Sequence, residues 1–327
     1  MTILVTGSSG HLGEALMRRL RAEERAVRGI DIKPSPFTDC VGSIGERAFI
    51  RRCMAGVGAV IHTASLHKPH LVTHRNQDFV DTNVTGTLVL LEEAVANGVA
   101  AFVFTSTTSA FGAALNPSPD APAAWITETV APVPKNIYGL TKLAAEGLCE
   151  LFWRREMLPV IVLRTSRFFP EADDDAELRE RYETGNVQAN EMLYRRVDLE
   201  DVVDAHLLAL ERAAALGFRR HIISATTPFT RGDLAALREQ APQVVGRIFP
   251  DCAALFQKRG WRLLPQIDRV YVNALAREEL GWRPRYDFRH VLDCLRADAD
   301  FRSALARQVG SKGYHDQVFV EGPYPVA

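Results

Sequence analysis

The stretch Ile3-Leu4-Val5 leading into Thr6-Gly7-Ser8-Ser9-Gly10-His11-Leu12-Gly13 constrains this chain more than any other part of it. An apolar run, three glycines spaced three apart and a helix-forming continuation spell a strand, a tight turn and a helix start. Gly7 permits the turn, Gly10 lets the backbone approach a pyrophosphate, and Gly13 lets the helix pack closely, with the phosphate on the helix's positive N-terminus. The expected ligand is a dinucleotide. A glycine triplet alone is a weak signal, so the rest of the chain has to carry the reading.

Strands and helices alternate from that point on. A helix is expected over 14–25 and a strand over 26–31, ending in Asp31, eighteen residues past Gly13. A carboxylate there can accept the adenosine ribose hydroxyls and repel a 2′-phosphate, which favours NAD over NADP; Lys33 could soften that preference. The competing reading is a solvated turn acid before Pro34-Ser35-Pro36. A short connection and helix over 41–56, a buried strand over 57–65, a long helix over 78–97 and a strand over 101–107 follow. The expected class is α/β, a doubly wound parallel Rossmann sheet with a smaller C-terminal substrate-binding lobe. With 327 residues and 47% hydrophobic composition, the chain can bury one large core and that lobe.

Composition excludes several partners. With 39 basic and 40 acidic residues the net charge is −1, which provides no field for nucleic acid. No apolar run approaches the ~18 residues of a membrane span, and a cradle starting at residue 3 leaves no room for a secretory leader; a cytoplasmic protein is expected. Cys40, Cys53, Cys149, Cys252 and Cys294 form no C-x-x-C pair, so neither disulfides nor zinc are expected. His67, His70 and His74 have metal-like spacing. Their only nearby carboxylates are Asp78 and Asp81, and Pro69 argues against one continuous helical face, so no metal is expected.

In an open parallel sheet the ligand sits beyond the carboxyl ends of the strands, so the loop Leu66-His67-Lys68-Pro69-His70 should border the pocket. Tyr138 and Lys142 lie four apart at a helix start and project from one face. A phenol near pKa 10 is a poor base at neutral pH, but a neighbouring ammonium stabilises the phenolate and the lysine can also bind the nicotinamide ribose. Tyr138 can then take or return a hydroxyl proton while Thr107 or Ser106 holds the substrate oxygen during hydride transfer.

These residues resemble the extended short-chain dehydrogenase/reductases, the group of sugar-nucleotide epimerases and dehydratases. The likeness runs through T-G-x-x-G-x-x-G, V-I-H-T-A-S, N-V-T-G-T, Y-G-L-T-K, the segment from Val197 to His206 and A-R-E-E-L-G-W-R-P from Ala276. It implies a Rossmann domain with tightly bound NAD, Tyr138 and Lys142 as the catalytic pair, a hydroxyl at Thr107 and a homodimer. Around the cofactor it implies Gly7, Ser9, Gly10, His11, Leu12, Gly13, Asp31, Ile32, Thr63, Ala64, Ser65, Asn83, Thr105, Tyr138 and Lys142. Where the family often has G-D near adenine, Gly42 is followed by Ser43, so Ser43 and Ile44 are expected there instead. Dehydratases place an Asp-Glu pair after the catalytic Thr; Thr108-Ser109 stands here, which disfavours dehydration.

Substrate choice should lie between Leu163 and Asp198. Sugar-nucleotide enzymes begin this lobe with a segment resembling R-Y-F-N; here it is Arg164-Thr165-Ser166-Arg167, with Arg167 in the Asn position. Only about two dozen residues separate Pro170 from Tyr194, too few for a nucleotide clamp, and the acidic run over 171–175 would repel a diphosphate or form a solvated helix start. A small substrate is therefore expected, its carboxylate or phosphate anchored by Arg167, Arg195, Arg196 or Lys68, with Thr107, Thr108, Asn190 and Tyr194 as hydrogen-bonding groups. A helix is expected over 231–239, a strand over 270–273, a lobe-closing segment over 288–305 and a surface or subunit-contact strand from Gly310. The expected domains are 1–163 and 164–327, the chain crossing back to the sheet around 195–225. The function read from this is an NAD-dependent oxidoreductase acting on a secondary alcohol or ketone of a small polar, sugar-like or acid-bearing molecule. The rival is a sugar epimerase, in which hydride leaves and returns to opposite faces of one carbon. A non-catalytic NAD sensor would have no need of Tyr138, Lys142 and Thr107.

Overall fold

The computed structural model describes residues 1–173, 175–313 and 319. β1 (Thr2–Thr6) runs into α1 (His11–Ala22) across the glycine turn, and β2 (Val27–Asp31) and β3 (Cys40–Val41) then extend the sheet on one side. The helix starts at His11 rather than residue 14, because extended Gly10 closes the turn and accepts the first helical bond from Glu14 N.

After α2 (Arg47–Met54) the chain returns to the other side of β1 with β4 (Val57–His62), followed by β5 (Ala101–Thr107). That reversal between β1 and β4 opens the crevice in which a doubly wound sheet binds its ligand. β4 stops at His62, short of the expected residue 65, since the Thr63 and Ala64 amides turn to the Thr6 side chain.

The expected helix over 78–97 is three pieces: α3 (Asn76–Phe79), a π-helical segment Val80–Thr85 and α4 (Gly86–Ala96). A short β6 (Ala124–Ile126) precedes α5 (Ile137–Glu156), whose first turn is capped by the Asn136 side chain accepting from Gly139 N at 3.0 Å. β7 (Val160–Thr165) then pairs with β5 in parallel.

The lobe opens with α6 (Ala176–Arg181) and α7 (Thr184–Glu191), after which α8 (Leu199–Leu216) and β8 (Phe218–Ile223) complete the seven-stranded parallel sheet, order β3-β2-β1-β4-β5-β7-β8. α1 and α8 cover one face over Ile3, Val5, Leu16, Val103, Ile161 and Val203. α2, α4 and α5 cover the other over Leu4, Ile50, Val60, Leu90, Phe102 and Val162. Both faces being buried explains why the central strands β1, β4 and β5 are mostly apolar.

α9 (Leu234–Ile248) continues past the expected residue 239, across a kink where Gln240 leaves helical geometry two residues before Pro242. α10 (Cys252–Lys258), β9 (Arg269–Tyr271), α11 (Ala274–Glu279), α12 (Phe288–Arg296) and α13 (Ala304–Val309) complete the fold. β9 pairs in parallel with β6 alone, so the strand expected at 270–273 joins a separate two-stranded sheet. The helical lobe has its own core of Val187, Leu193, Leu237, Val245, Phe256, Phe288 and Leu292. Most of the tail expected as a strand from Gly310, Pro323 and Pro325 included, lies outside the described residues.

Among the described residues no helix is long and apolar enough to cross a membrane. Nor is any group of three or more His, Cys, Asp or Glu side chains placed to hold a metal ion.

Candidate active site

Around the turn between β1 and α1 there is no space for a side chain at Gly7 or Gly13. Gly7 has φ +70°, and a Cβ on it would lie 2.8 Å from the Ala64 amide nitrogen. A Cβ on Gly13 would lie 1.8 Å from the Gly7 carbonyl oxygen. The α1 N-terminus carries no side-chain cap, so its first amides remain for an anion. Asp31, half-exposed at the end of β2, accepts from Ser9 N at 3.0 Å and from Lys33 N at 2.9 Å, which fixes a carboxylate beside the turn. This arrangement fits a dinucleotide, its pyrophosphate on the turn and a ribose at Asp31. Gly13→Ala should abolish dinucleotide binding, since the methyl has only backbone to displace; NADH titration checks it, and a variant that binds normally would contradict the packing.

At the carboxyl end of β5, Thr107 accepts from Ser109 N at 3.0 Å, and its side chain draws the pKa of the Tyr138 phenol down. Lys142, one turn further along α5, is 3% exposed, its ammonium 4.1 Å from the Phe104 ring centroid. Burial pushes the Tyr138 phenol up to about 12 against the pull of the Thr107 side chain. It pushes the Lys142 ammonium down to about 7, opposed by Cys149 and Glu146. Lys142 faces the Phe104 ring, and desolvation works against the charged form of both groups. Ser106, the alternative hydroxyl, donates to Glu146 at 2.6 Å beneath the site, which leaves Thr107 as the hydroxyl beside Tyr138.

Several residues expected around the cofactor make hydrogen bonds within the protein. Asn83 accepts from Leu66 N at 2.9 Å and donates to Leu66 O at 2.9 Å and Thr141 Oγ1 at 3.1 Å, so both amide hydrogens are committed. The Thr105 hydroxyl hydrogen-bonds His206 at 2.8 Å on α8. Thr63 Oγ1 donates to Thr6 O at 2.6 Å and Ser65 Oγ to Leu66 O at 2.8 Å, while Ala64 lies against the glycine turn. Ser43 Oγ accepts from Gly45 N at 3.2 Å, Ile44 is buried over Gly86, and Ile32 is exposed. Leu12 is buried in the sheet core. His11 is buried edge-on to Phe168 and Phe169 at 6.2 and 5.6 Å, and burial holds it down to about 4. At His11 and Leu12, therefore, the backbone rather than the side chain faces the turn.

The expected arginine anchors form ion pairs within the lobe. Arg167 donates to Asp173 at 2.8 Å, and Arg195 pairs with Asp173 and Glu191, each at 2.8 Å. Arg196 pairs with Glu191 at 2.7 Å and donates to Phe169 O at 2.9 Å. Burial works against the Glu191 carboxylate, yet Arg196, Arg195 and Arg167 together outweigh it and hold its pKa down to about 2. The three arginines expected to grip a substrate anion instead share buried carboxylates. Asp173, read as part of a solvated run, is among them, whereas Asp174 lies outside the described residues. Asp175 does cap a helix start, accepting from Leu178 N.

Tyr194 is buried in the lobe core under the Arg195 guanidinium, and Asn190 binds backbone at Arg262 and Leu264. Thr108 is buried and donates to Thr165 O at 3.4 Å. Lys68 is half-buried in the 3₁₀ turn Lys68–Val72, beside His67, whose ring stacks on Phe169 at 5.6 Å. Glu191 carried no motif signal; a carboxylate four residues before Arg195 on one helix face was the only hint.

The profile of the NAD dependent epimerase/dehydratase family matches residues 3–222. A UDP-glucose 4-epimerase of Rhizobium leguminosarum bv. trifolii is 28% identical over 338 residues, covering 89% of this chain and 95% of that protein. An uncharacterized protein of Sinorhizobium fredii is 33% identical over 170 residues, 50% of this chain and 40% of that one. The chain spans less than half the length of several curated relatives that it matches. Among solved structures, a short-chain dehydrogenase/reductase superfamily protein of Agrobacterium tumefaciens with bound NAD is 25% identical at a TM-score of 0.64, covering 94% of this chain and 97% of that one.

Proposed function

The chain belongs to the NAD dependent epimerase/dehydratase family, and from that premise we propose that it is an NAD-dependent oxidoreductase acting at a secondary alcohol or ketone carbon of a small polar substrate. The observation that carries this reading is the buried pair Tyr138 and Lys142, one turn apart at the start of α5, with Thr107 ending β5 at the carboxyl end of the sheet that also bears the glycine turn. NAD supplies the hydride acceptor at its nicotinamide. Thr107 and Tyr138 hold the substrate oxygen between two hydroxyls, and Tyr138 takes the hydroxyl proton as the carbon loses hydride, passing it on to solvent. Tyr138 can act as a base only when its pKa falls from about 12, and a positive charge brought beside the buried phenol has that effect.

Support for a substrate without a nucleotide handle comes from the lobe. Arg167, Arg195 and Arg196 are tied to Asp173 and Glu191, and a diphosphate brought there would meet those carboxylates. The epimerase reading rests on a different observation, the near full-length similarity to a UDP-glucose 4-epimerase. Spectrophotometry distinguishes them: net NADH formation with a free sugar or sugar acid supports the dehydrogenase, and conversion of a UDP-sugar without net NADH supports the epimerase.

Cofactor choice gives a further test. Asp31→Ala should lower the preference for NAD over NADP by about tenfold, the equivalent of one lost charge-assisted contact. Dissociation constants for both dinucleotides measure it, and tighter NADP binding by the unaltered protein would overturn the role given to Asp31.

A further inference from the structure

We infer that His62 is a positioning residue that ties the dinucleotide turn to the helix bearing Tyr138 and Lys142, an inference that rests on the function proposed above. His62 ends β4, is 1% exposed and lies between two hydroxyls. Its Nδ1 is 2.7 Å from Thr6 Oγ1 and its Nε2 is 3.0 Å from Thr87 Oγ1.

Donor counting fixes the tautomer. Thr6 Oγ1 already accepts from Thr63 N at 3.2 Å and Ala64 N at 3.1 Å, so its own proton goes to His62 Nδ1. The ring hydrogen therefore sits on Nε2 and points to Thr87, whose hydroxyl donates to Asn83 O at 2.7 Å. The Asn83 side chain continues the path to the Leu66 backbone and to Thr141 Oγ1, and Thr141 donates to Ile137 O and Tyr138 O at 2.8 and 3.1 Å. One directed chain of hydrogen bonds thus runs from the end of β1 through the π-helical segment to the first turn of α5.

A second path is apolar. The His62 ring packs on Phe104 at 5.5 Å, and Phe104 is the ring under the Lys142 ammonium. Burial, with Lys142 next, holds His62 well below its ordinary pKa, in keeping with a neutral ring. His62 touches neither substrate nor the reacting atoms; it acts through Thr87 and Phe104.

The test uses the full chain and needs no substrate. NADH binding is titrated by fluorescence, and Tyr138 ionisation is followed by ultraviolet difference spectroscopy in NAD-saturated protein, with Tyr138→Phe as the blank. His62→Leu should weaken NADH binding about tenfold and move the Tyr138 ionisation upward by leaving buried hydroxyls unpaired. His62→Gln, which keeps a donor towards Thr87, should recover to within about threefold of the unaltered protein. Thr87→Val should weaken binding by itself, yet add less than about twofold in the His62→Leu background, because both break one chain. A His62→Leu protein that binds NADH normally, with Tyr138 ionising at the unaltered pH, overturns the inference. So do His62→Leu and Thr87→Val losses that multiply in full. If His62→Leu does not fold, Thr87→Val decides alone: unchanged NADH binding and phenol ionisation overturn the inference. Failure of the unaltered protein to bind NADH would instead count against the proposed function.

Discussion

Tyr138→Phe should reduce turnover by about 10²–10⁴-fold, the usual contribution of a positioned acid/base, while NADH affinity changes little. The phenyl ring keeps the buried packing, so what is lost is the hydroxyl that meets Thr107 and carries the proton. Rates of absorbance change at 340 nm and NADH titrations on the same preparation separate the two effects. Full activity in the variant would remove Tyr138 as the acid/base. A loss confined to the Michaelis constant would make it a binding residue only.

Glu191→Gln should have the largest effect on stability, about 3–5 kcal/mol, because removing one partner of a buried ion pair leaves the other charge uncompensated. Glu191 is fully buried and faces Arg195 and Arg196 at 2.8 and 2.7 Å, with Arg167 at 3.8 Å. Among the described residues, Arg196 would be left with no carboxylate, only the Phe169 carbonyl. The sign of the pH dependence follows. The folded-state pKa of Glu191, about 2, lies below that of an unfolded glutamate, so its stabilisation is fully present above the unfolded value and is lost as pH falls from roughly 4.5 towards 2. Denaturant unfolding at neutral pH and at pH 3 measures both statements: the gap between the two proteins should narrow at pH 3. A neutral-pH loss below about 1 kcal/mol would show that the arginines find other partners.

Reading the chain from its residues succeeded where a local physical rule was unopposed. The glycine turn is legible because Gly7 and Gly13 stand where any Cβ would strike backbone. The parallel sheet is legible because its central strands, buried on both faces, are mostly apolar. Tyr138 and Lys142 stand one turn apart at the start of α5, as their spacing predicts, and Thr107 ends β5.

What residue patterns leave out is which groups satisfy one another across long sequence separations. Asn83, expected near the cofactor, bonds Leu66 and Thr141 through its amide. The three arginines looked like anion anchors, and nothing in their neighbourhood announced that Asp173 and Glu191 fold against them. Spacing also predicted a helper for the phenol and was silent on burial, which pushes Tyr138 and Lys142 towards their neutral forms. The break in the helix over 78–97 had no apolar signature either, because the π-helical segment keeps the same buried stripe.

The most direct test of the account begins with the purified protein. Any dinucleotide that it carries is released and identified, and absorbance at 340 nm is then followed with excess NAD across free sugars, sugar acids and UDP-sugars. The expected result is NAD as the dinucleotide and NADH formed in step with oxidation of a free sugar or sugar acid. Conversion of a UDP-sugar to its epimer with no net NADH would contradict the small-substrate reading and establish the epimerase.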